Sequence, residues 1–270
     1  MRTAKIERVR EGVYAAIAEA DGVAVGNAGF VDLGGEVLVF DTHVSLAAAR
    51  ELRAAAERFG PVRTVVLSHW HGDHVLGVGA FDGDANVVAT AGTAKLMRER
   101  TAQRIEALKA RPLEDFDGTP FAEIARAELE ALELRLPDET FDDERTFAAG
   151  NERAAQVLTY GGGHTLSDGV LWLPSEKILF AADLVVVDSH GWVGDGDVGA
   201  WPGILERLAE LRPETIVPGH GPVAGPEAID FMLRYLDAVT AAQPGAPNPF
   251  PDLAFAEGWE QNLQALAATR

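Results

Sequence analysis

Apolar positions along the chain fall into short β-branched runs and longer runs at helical spacing. Residues 23–33 (VAVGNAGFVDL) and 36–40 (EVLVF) read as strands joined by Gly34-Gly35, a hairpin signal. A helix is predicted next: Ser45 can cap it, and Ala48, Leu52, Ala55, Ala56 and Phe59 recur at helical spacing before Gly60-Pro61 ends it. Thr64–Leu67 and Asn86–Ala89 are strand-like. Residues 93–136 read as two helices broken at Arg111-Pro112 and Asp117-Gly118, the second with Phe121, Ile124, Leu129, Leu132 and Leu136 on one stripe. Strands resume at 154–159, 169–173 and 177–181, and a helix at 203–211 precedes a short strand at 215–217. A helix at 226–242 and a turn-rich stretch, 244–251, lead to a last short helix. Hairpin runs of strands separated by helices, in two halves, predict an α/β (α+β) chain with two layers of sheet and helices outside. The expectation is one domain over 1–270, with a helical insertion at 93–136 and C-terminal helices at 226–270.

Composition narrows the function classes. The 270 residues are 47% hydrophobic, enough to bury a large core, and the longest apolar stretches are strand-sized, so no membrane span is expected. The N-terminus has no continuous apolar segment and no small-residue cleavage site, and the expected location is the cytoplasm. With no cysteine, disulfides, thiol nucleophiles and sulfur metal ligands are excluded. A net charge of −19 argues against a nucleic-acid partner. The acid is concentrated: residues 114–152 carry 13 acidic against 3 basic side chains, while 93–113 carry 6 basic against 2 acidic. Two solvated helices with complementary faces would account for that.

Chemistry is densest at His69-Trp70-His71-Gly72-Asp73-His74, directly after the strand Thr64–Leu67. A loop at a strand end lets a rigid sheet aim side chains. Three imidazoles and a carboxylate within six positions suit zinc, iron or manganese. His164 follows three glycines after a strand, Asp183 ends the strand KILFAA, and His220 follows Val217-Pro218-Gly219. Together these five histidines and two aspartates suffice for two four-coordinate metals once a bridging oxygen is added.

With H-x-H-x-D-H at 69–74, the histidine of GGGHT, the aspartate of FAADL and the histidine of VPGH, the chain resembles the metallo-β-lactamase-fold hydrolases. The resemblance implies an αββα sandwich with the metal site at one edge, between the sheets. It implies one metal on His69, His71 and His164, a second on Asp73, His74 and His220, and Asp183 bridging the two. Two zinc ions are the expected cofactors, with iron or manganese as substitutes, and a hydroxide between them the expected nucleophile. Asp73 and Asp183 would then be the catalytic carboxylates, Asp73 orienting that hydroxide. Asp41, in VFDT, would hold a ligand histidine by its far nitrogen, and Thr165 and Asp168 could do similar work. His43 and His190 are off the pattern and read as surface or pocket-rim residues. The Gly-rich segment Val187–Trp201 would border the cleft, making His190, Trp192 and Trp201 candidate pocket residues, with Trp70 lining the cleft or packing beneath it.

The departures point to a branch. An aspartate at 183 resembles glyoxalase II, lactonases and general hydrolases rather than lactamases with a cysteine there or without the bridging aspartate. Against glyoxalase II, 90 positions separate His74 from His164. Against homoserine-lactone lactonases, Leu184-Val185-Val186 follows Asp183 with no tyrosine. The flavodiiron and nuclease branches need further domains. The expected reaction is hydrolysis of a small thioester, lactone or β-lactam. The alternatives are a mononuclear iron enzyme resembling persulfide dioxygenases, and a non-catalytic metal-binding protein. The expected partners are a small-molecule substrate and a second copy of the chain in a homodimer. The 93–136 pair lies where it can cover the site or make that contact.

Overall fold

The computed structural model describes residues 4–19, 24–83, 85–116 and 126–269. One sheet has the order β1 (Ala4–Arg10), β2 (Val13–Ala18), β3 (Ala28–Asp32), β4 (Val37–Phe40), β5 (Val62–Leu67), β6 (Asn86–Thr90) and β7 (Glu139–Phe141). The other has the spatial order β12-β11-β10-β9-β8, built from β8 (Glu144–Ala148), β9 (Ala154–Thr159), β10 (Gly169–Leu173), β11 (Ile178–Ala182) and β12 (Thr215–Pro218). The helices are α1 (Leu46–Ala56), α2 (Gly72–Val75), α3 (Ala91–Leu96), α4 (Ala102–Lys109), α5 (Trp201–Glu210), α6 (Glu227–Ala241) and α7 (Gly258–Thr269).

Alternation along the central strands explains the layering. Leu38, Phe40 and Val66 of the first sheet meet Leu171, Phe180 and Val217 of the second in one buried cluster. Val37, Val39, Val65 and Leu67 point the other way, against Ala49, Leu52 and Ala56 of α1. Trp172, Leu179 and Ala181 likewise turn outward onto Leu205, Leu208, Met232, Tyr235 and Leu263 of α5, α6 and α7. Strands covered on both faces need apolar residues at every position, which is why β4, β10, β11 and the Val65–Leu67 end of β5 read as unbroken apolar runs. The result is a helix–sheet–sheet–helix sandwich, the architecture expected from the strand and helix pattern.

The Gly34-Gly35 turn closes the β3–β4 hairpin as expected. Both glycines take positive φ, +81° and +110°, and Asp32 pairs with Val37. Other boundaries moved. The first strand of that hairpin begins at Ala28 rather than 23, and Phe59 lies beyond α1. The pair β1–β2 had no counterpart in the expected elements, because β1 is an edge strand whose burial alternates with charged side chains. The 93–136 region differs most. Its first part is helical, as α3, one π turn at Met97–Thr101 and α4. Phe121, Ile124 and the Asp117-Gly118 break lie outside the described residues. Leu129, Leu132 and Leu136 pack on the first sheet's outer face, but 129–137 is turn and irregular chain, not a helical stripe. Part of the acidic run, Glu139 to Glu144, falls on the sheet edges β7 and β8 and the turn between them rather than on a second solvated helix. Glu128 caps α1 from outside, its carboxylate accepting the Leu46 and Ala47 amides at 2.7 and 2.9 Å.

Strand direction fixes where the chemistry gathers. β4 and β5 are parallel, as are β11 and β12, and β9 runs the same way as β11 because both are antiparallel to β10. Their carboxyl ends carry Asp41, the 69–74 segment, His164, Asp183 and His220. In open α/β sheets that is the end where sites form. Among the described residues, no helix is long and apolar enough to cross a membrane.

Candidate metal centre

The structure brings the seven residues together in two groups sharing a carboxylate. His69, His71, His164 and Asp183 each offer a donor atom, all within 4.8 Å of one another, and so do Asp73, His74 and His220. Asp183 reaches into both groups: Oδ2 lies 3.3 Å from His164 Nε2 and 3.4 Å from His220 Nε2, and Oδ1 lies 3.1 Å from His74 Nε2. Asp73 Oδ2 is 3.2 Å from His220 Nε2. A Cβ on Gly219 would collide with Asp183 Oδ1, so only glycine lets β12 deliver His220 this close.

Outer hydrogen bonds settle which nitrogen of each histidine faces inward. His74 Nδ1–H donates to Asp41 Oδ2 at 2.9 Å. Ser68 Oγ–H donates to the same carboxylate at 2.7 Å, so Ser68 Oγ accepts from His69 Nδ1–H at 2.9 Å. His164 Nδ1–H donates to the Trp192 carbonyl at 3.0 Å, and His71 Nε2–H to Asp195 Oδ2 at 3.1 Å. The inner nitrogens of these four imidazoles are thereby the ones left to ligate. Of these, His164 Nε2 and His71 Nδ1 stand 2.9 Å apart, while His69 Nε2 and His74 Nε2 are buried with no hydrogen-bond partner. Converging lone pairs repel unless a cation lies between them. The donor set, five imidazoles and two carboxylates with their outer atoms held, fits borderline divalent metals.

The charges agree with this geometry. Burial raises the Asp183 carboxyl, but the His220, His74 and His164 imidazoles around it hold it well below the usual range. Burial lowers His164 to about 3 and drops His69 well below its ordinary value, so both nitrogens are free to ligate.

The surrounding candidates divide. Asp41 is buried and touches His74 directly and His69 through Ser68. Asp168 accepts from Gly163 N, Thr165 N and Thr165 Oγ1 at 2.7–3.1 Å and so shapes the loop carrying His164. A cavity of about 400 Å³ opens over both groups, and His190 and Trp192 line it. Trp201, expected at the pocket, is buried in an outer core instead, while Trp70 takes the second of its two expected places, packed beneath the cleft in the other outer core. Trp70 packs edge-on to His71 at 4.6 Å, and Trp201 edge-on to His164 at 5.5 Å with Nε1 tied to the Leu184 carbonyl, so both back the ligands from below. His43 is neither surface nor rim. It is fully buried, with Nδ1 on the Gly26 carbonyl at 2.7 Å.

Several contributors had no expectation attached. Asp195 gathers His71, the Trp192 indole at 2.8 Å and Arg104 at 3.1 Å. Asn27 donates to the Pro218 and Gly221 carbonyls, bracketing His220. Asn262 on α7 donates to the Gly191 carbonyl at 2.6 Å and accepts from Val193 N at 3.1 Å, fixing the strand of loop that holds Trp192. The only signal for Asp195 was its place in the Gly-rich 187–201 segment.

A family profile described as the metallo-beta-lactamase superfamily matches residues 21–220, and the chain belongs to that family. It is similar to a "Metallo-beta-lactamase type 2" of Bacteroides fragilis, 26% identical over 181 residues, covering 65% of this chain and 60% of that protein. It is also similar to a "Beta-lactamase-like protein 2 homolog" of Caenorhabditis elegans, 24% identical over 177 residues, 65% of this chain but 46% of that one. The matches thus span about half to three fifths of these relatives' lengths. Among solved structures, a metallo-beta-lactamase from Pontibacter korlensis superposes with a TM-score of 0.66 at 24% identity, over 87% of this chain and 99% of that one. The resemblance drawn from the sequence therefore holds for family and fold.

Proposed function

We propose that the chain is a metal-dependent hydrolase holding two zinc ions, which cleaves a small ester-like or amide-like bond: a thioester, lactone or β-lactam. In this reading His69, His71 and His164 hold one ion, Asp73, His74 and His220 the other, and Asp183 both. The observation that carries it is the reach of Asp183 into both groups, together with inner imidazole nitrogens that have no other partner. Family membership supports the hydrolytic class. Bound divalent cations supply an acidified water and polarise a carbonyl.

The chain's own residues do the rest. Asp41, Ser68, Asp195 and the Trp192 carbonyl hold the His69, His71, His74 and His164 imidazoles each in one tautomer, so little reorganisation of these four accompanies turnover. Asp73 lines the cavity, where its carboxylate would accept a hydrogen bond from the attacking water and so orient it. Trp192 and His190 bound the space the substrate enters.

The test is metal content with turnover on the purified chain. Two zinc ions per chain, oxygen-independent cleavage of one of the three substrate types, and loss of both the second ion and activity in Asp183→Asn are expected. One iron per chain with oxygen-dependent turnover would replace this reading with the mononuclear one. A metal-free chain after reconstitution would end it.

A further inference from the structure

Two of the six large hydrophobic side chains left exposed among the described residues border the same cavity: Phe255, 60% exposed, and Trp192, 36% exposed. Phe255 also sits at φ +58°, a left-handed backbone that a bulky side chain adopts at a cost. Its surroundings hold it there. Ala254 N donates to the Asp188 carbonyl at 2.8 Å, His190 N to the Ala254 carbonyl at 3.2 Å, and Gly258 N to the Phe255 carbonyl at 2.6 Å. An exposed ring on a strained backbone gains nothing for folding, and such outliers gather where they serve a site. The ring stands edge-on to His220, centroids 6.1 Å apart. Trp192 is fixed at both ends, Nε1–H on Asp195 Oδ2 and its carbonyl on His164. One aromatic therefore adjoins the His164 group and the other the His220 group, with the cavity between them.

Charge at the mouth narrows the ligand. Arg104 is the sole lysine or arginine among the described lining residues. Its guanidinium is engaged by Asp195 at 3.1 Å and lies 4.3 Å over the Trp70 ring. No free cation there awaits an anionic substituent.

We propose that Phe255 and Trp192 form a subsite for an uncharged apolar arm of the substrate, an alkyl or aryl group next to the bond that is cleaved. This rests on the hydrolase reading above. The zinc-loaded full chain is assayed on p-nitrophenyl acetate, butyrate and hexanoate, and on the adipate monoester, whose arm ends in a carboxylate. Expected is a rise in kcat/KM of about tenfold or more from acetate to hexanoate, the effect of burying roughly two methylenes. In Phe255→Ala that ratio falls toward one at the wild-type metal content, and Phe255→Leu keeps most of it. A flat wild-type series, a ratio unchanged in Phe255→Ala, or preference for the adipate over the hexanoate overturns the subsite. If no p-nitrophenyl ester is cleaved, the hydrolase reading is decided separately, on the thioester, lactone and β-lactam substrates. The subsite is then decided by NMR titration with N-hexylacetamide against N-ethylacetamide: about tenfold tighter binding of the hexyl compound supports it, and equal binding overturns it.

Discussion

Asp41 Oδ2 lies 2.9 Å from His74 Nδ1, and the aspartate that makes this contact sits in left-handed backbone at φ +59°. The same carboxylate takes the Ser68 amide at 2.8 Å and the Ser68 hydroxyl at 2.7 Å, so one buried group sets two of the five imidazoles. Asparagine tolerates that backbone, which makes Asp41→Asn a clean test. Its amide cannot accept from all three donors at once, so one of His74 or Ser68 loses its orientation. Zinc affinity, read by competition with a chromophoric chelator, should fall about 10–100-fold. Wild-type affinity would show that Asp41 only supports the turn.

Removing the metal should change the sign of the pH response. In the metal-free chain burial lowers the His220 pKa, but Asp183 and Asp73 outweigh it and raise His220 to about 10, and His74 goes well above its usual 6.5. A raised folded pKa gives stability that is whole below pH 6.5 and is lost as pH climbs through about 10. His164, lowered by burial to about 3, costs stability as pH falls below 6.5. The metal-free Tm should therefore peak near pH 6.5 and decline toward 10, and zinc should remove the alkaline decline. Zinc binding should also release protons, seen as a dependence of the binding enthalpy on buffer ionisation. A metal-free Tm that holds level from pH 7 to 10 would contradict this assignment of charge.

The residues of the candidate centre were legible in the sequence because each stands at a strand end, beside glycines or a short loop, where the period-2 pattern stops abruptly. His164, Asp183 and His220 carry weight only together with the 69–74 cluster, and strand direction then carries all of them to one edge. Asp195 and Asn262 were not legible. One sits in a loop without period and the other on a helix face, and each matters through a contact more than 60 positions away in the chain, to His71 and Val193. Trp201 misled for the opposite reason. It closes the Gly-rich 187–201 segment that borders the cavity, but it also opens α5, which turns the ring into the core. β1 and β8 escaped notice because an edge strand with a charged face has no apolar run to show.

Asp168 predicts a second pH effect in the metal-free chain. Burial pushes its carboxyl up to about 6 from 3.8, against the pull of Gly163 and Thr165. The folded chain then holds a proton that the unfolded chain releases, so stability falls as pH rises from about 4 to 6. The fall amounts to at most about 3 kcal/mol. Urea unfolding of wild type and Asp168→Asn across that window should show the wild type losing ground to the variant. Parallel curves would mean that the three donors hold Asp168 ionised throughout.

Asn262 tests whether the C-terminal helix belongs to the site. Truncation in Asn262→Ala strands the Val193 amide, leaves the Gly191 carbonyl only the long bond from Tyr235 Oη–H at 3.5 Å, and removes a donor to Tyr235 Oη, 2.9 Å away. A loss of about 2–4 kcal/mol is expected from groups left unsatisfied. The loop that carries the Trp192 carbonyl should loosen with it, weakening zinc binding at the His164 group more than at the His220 group. Equal stability in urea would mean that water replaces Asn262 without cost.

Phe255→Gly separates strain from function. Glycine accepts φ +58° without a Cβ penalty, and relief of a left-handed bulky residue is worth about 1–3 kcal/mol. The greater freedom of glycine in the unfolded chain takes back about 0.5–1 kcal/mol. The phenyl ring is mostly in water, so its loss adds little, and the variant should be more stable by about 1 kcal/mol in urea unfolding. The backbone bonds of Ala254 and His190 do not involve the ring and should persist. A more stable protein with a weakened preference for apolar arms would show that the left-handed phenylalanine is kept for the cavity. A less stable variant would show that the ring's contact with His220 carries more of the fold than its exposure implies.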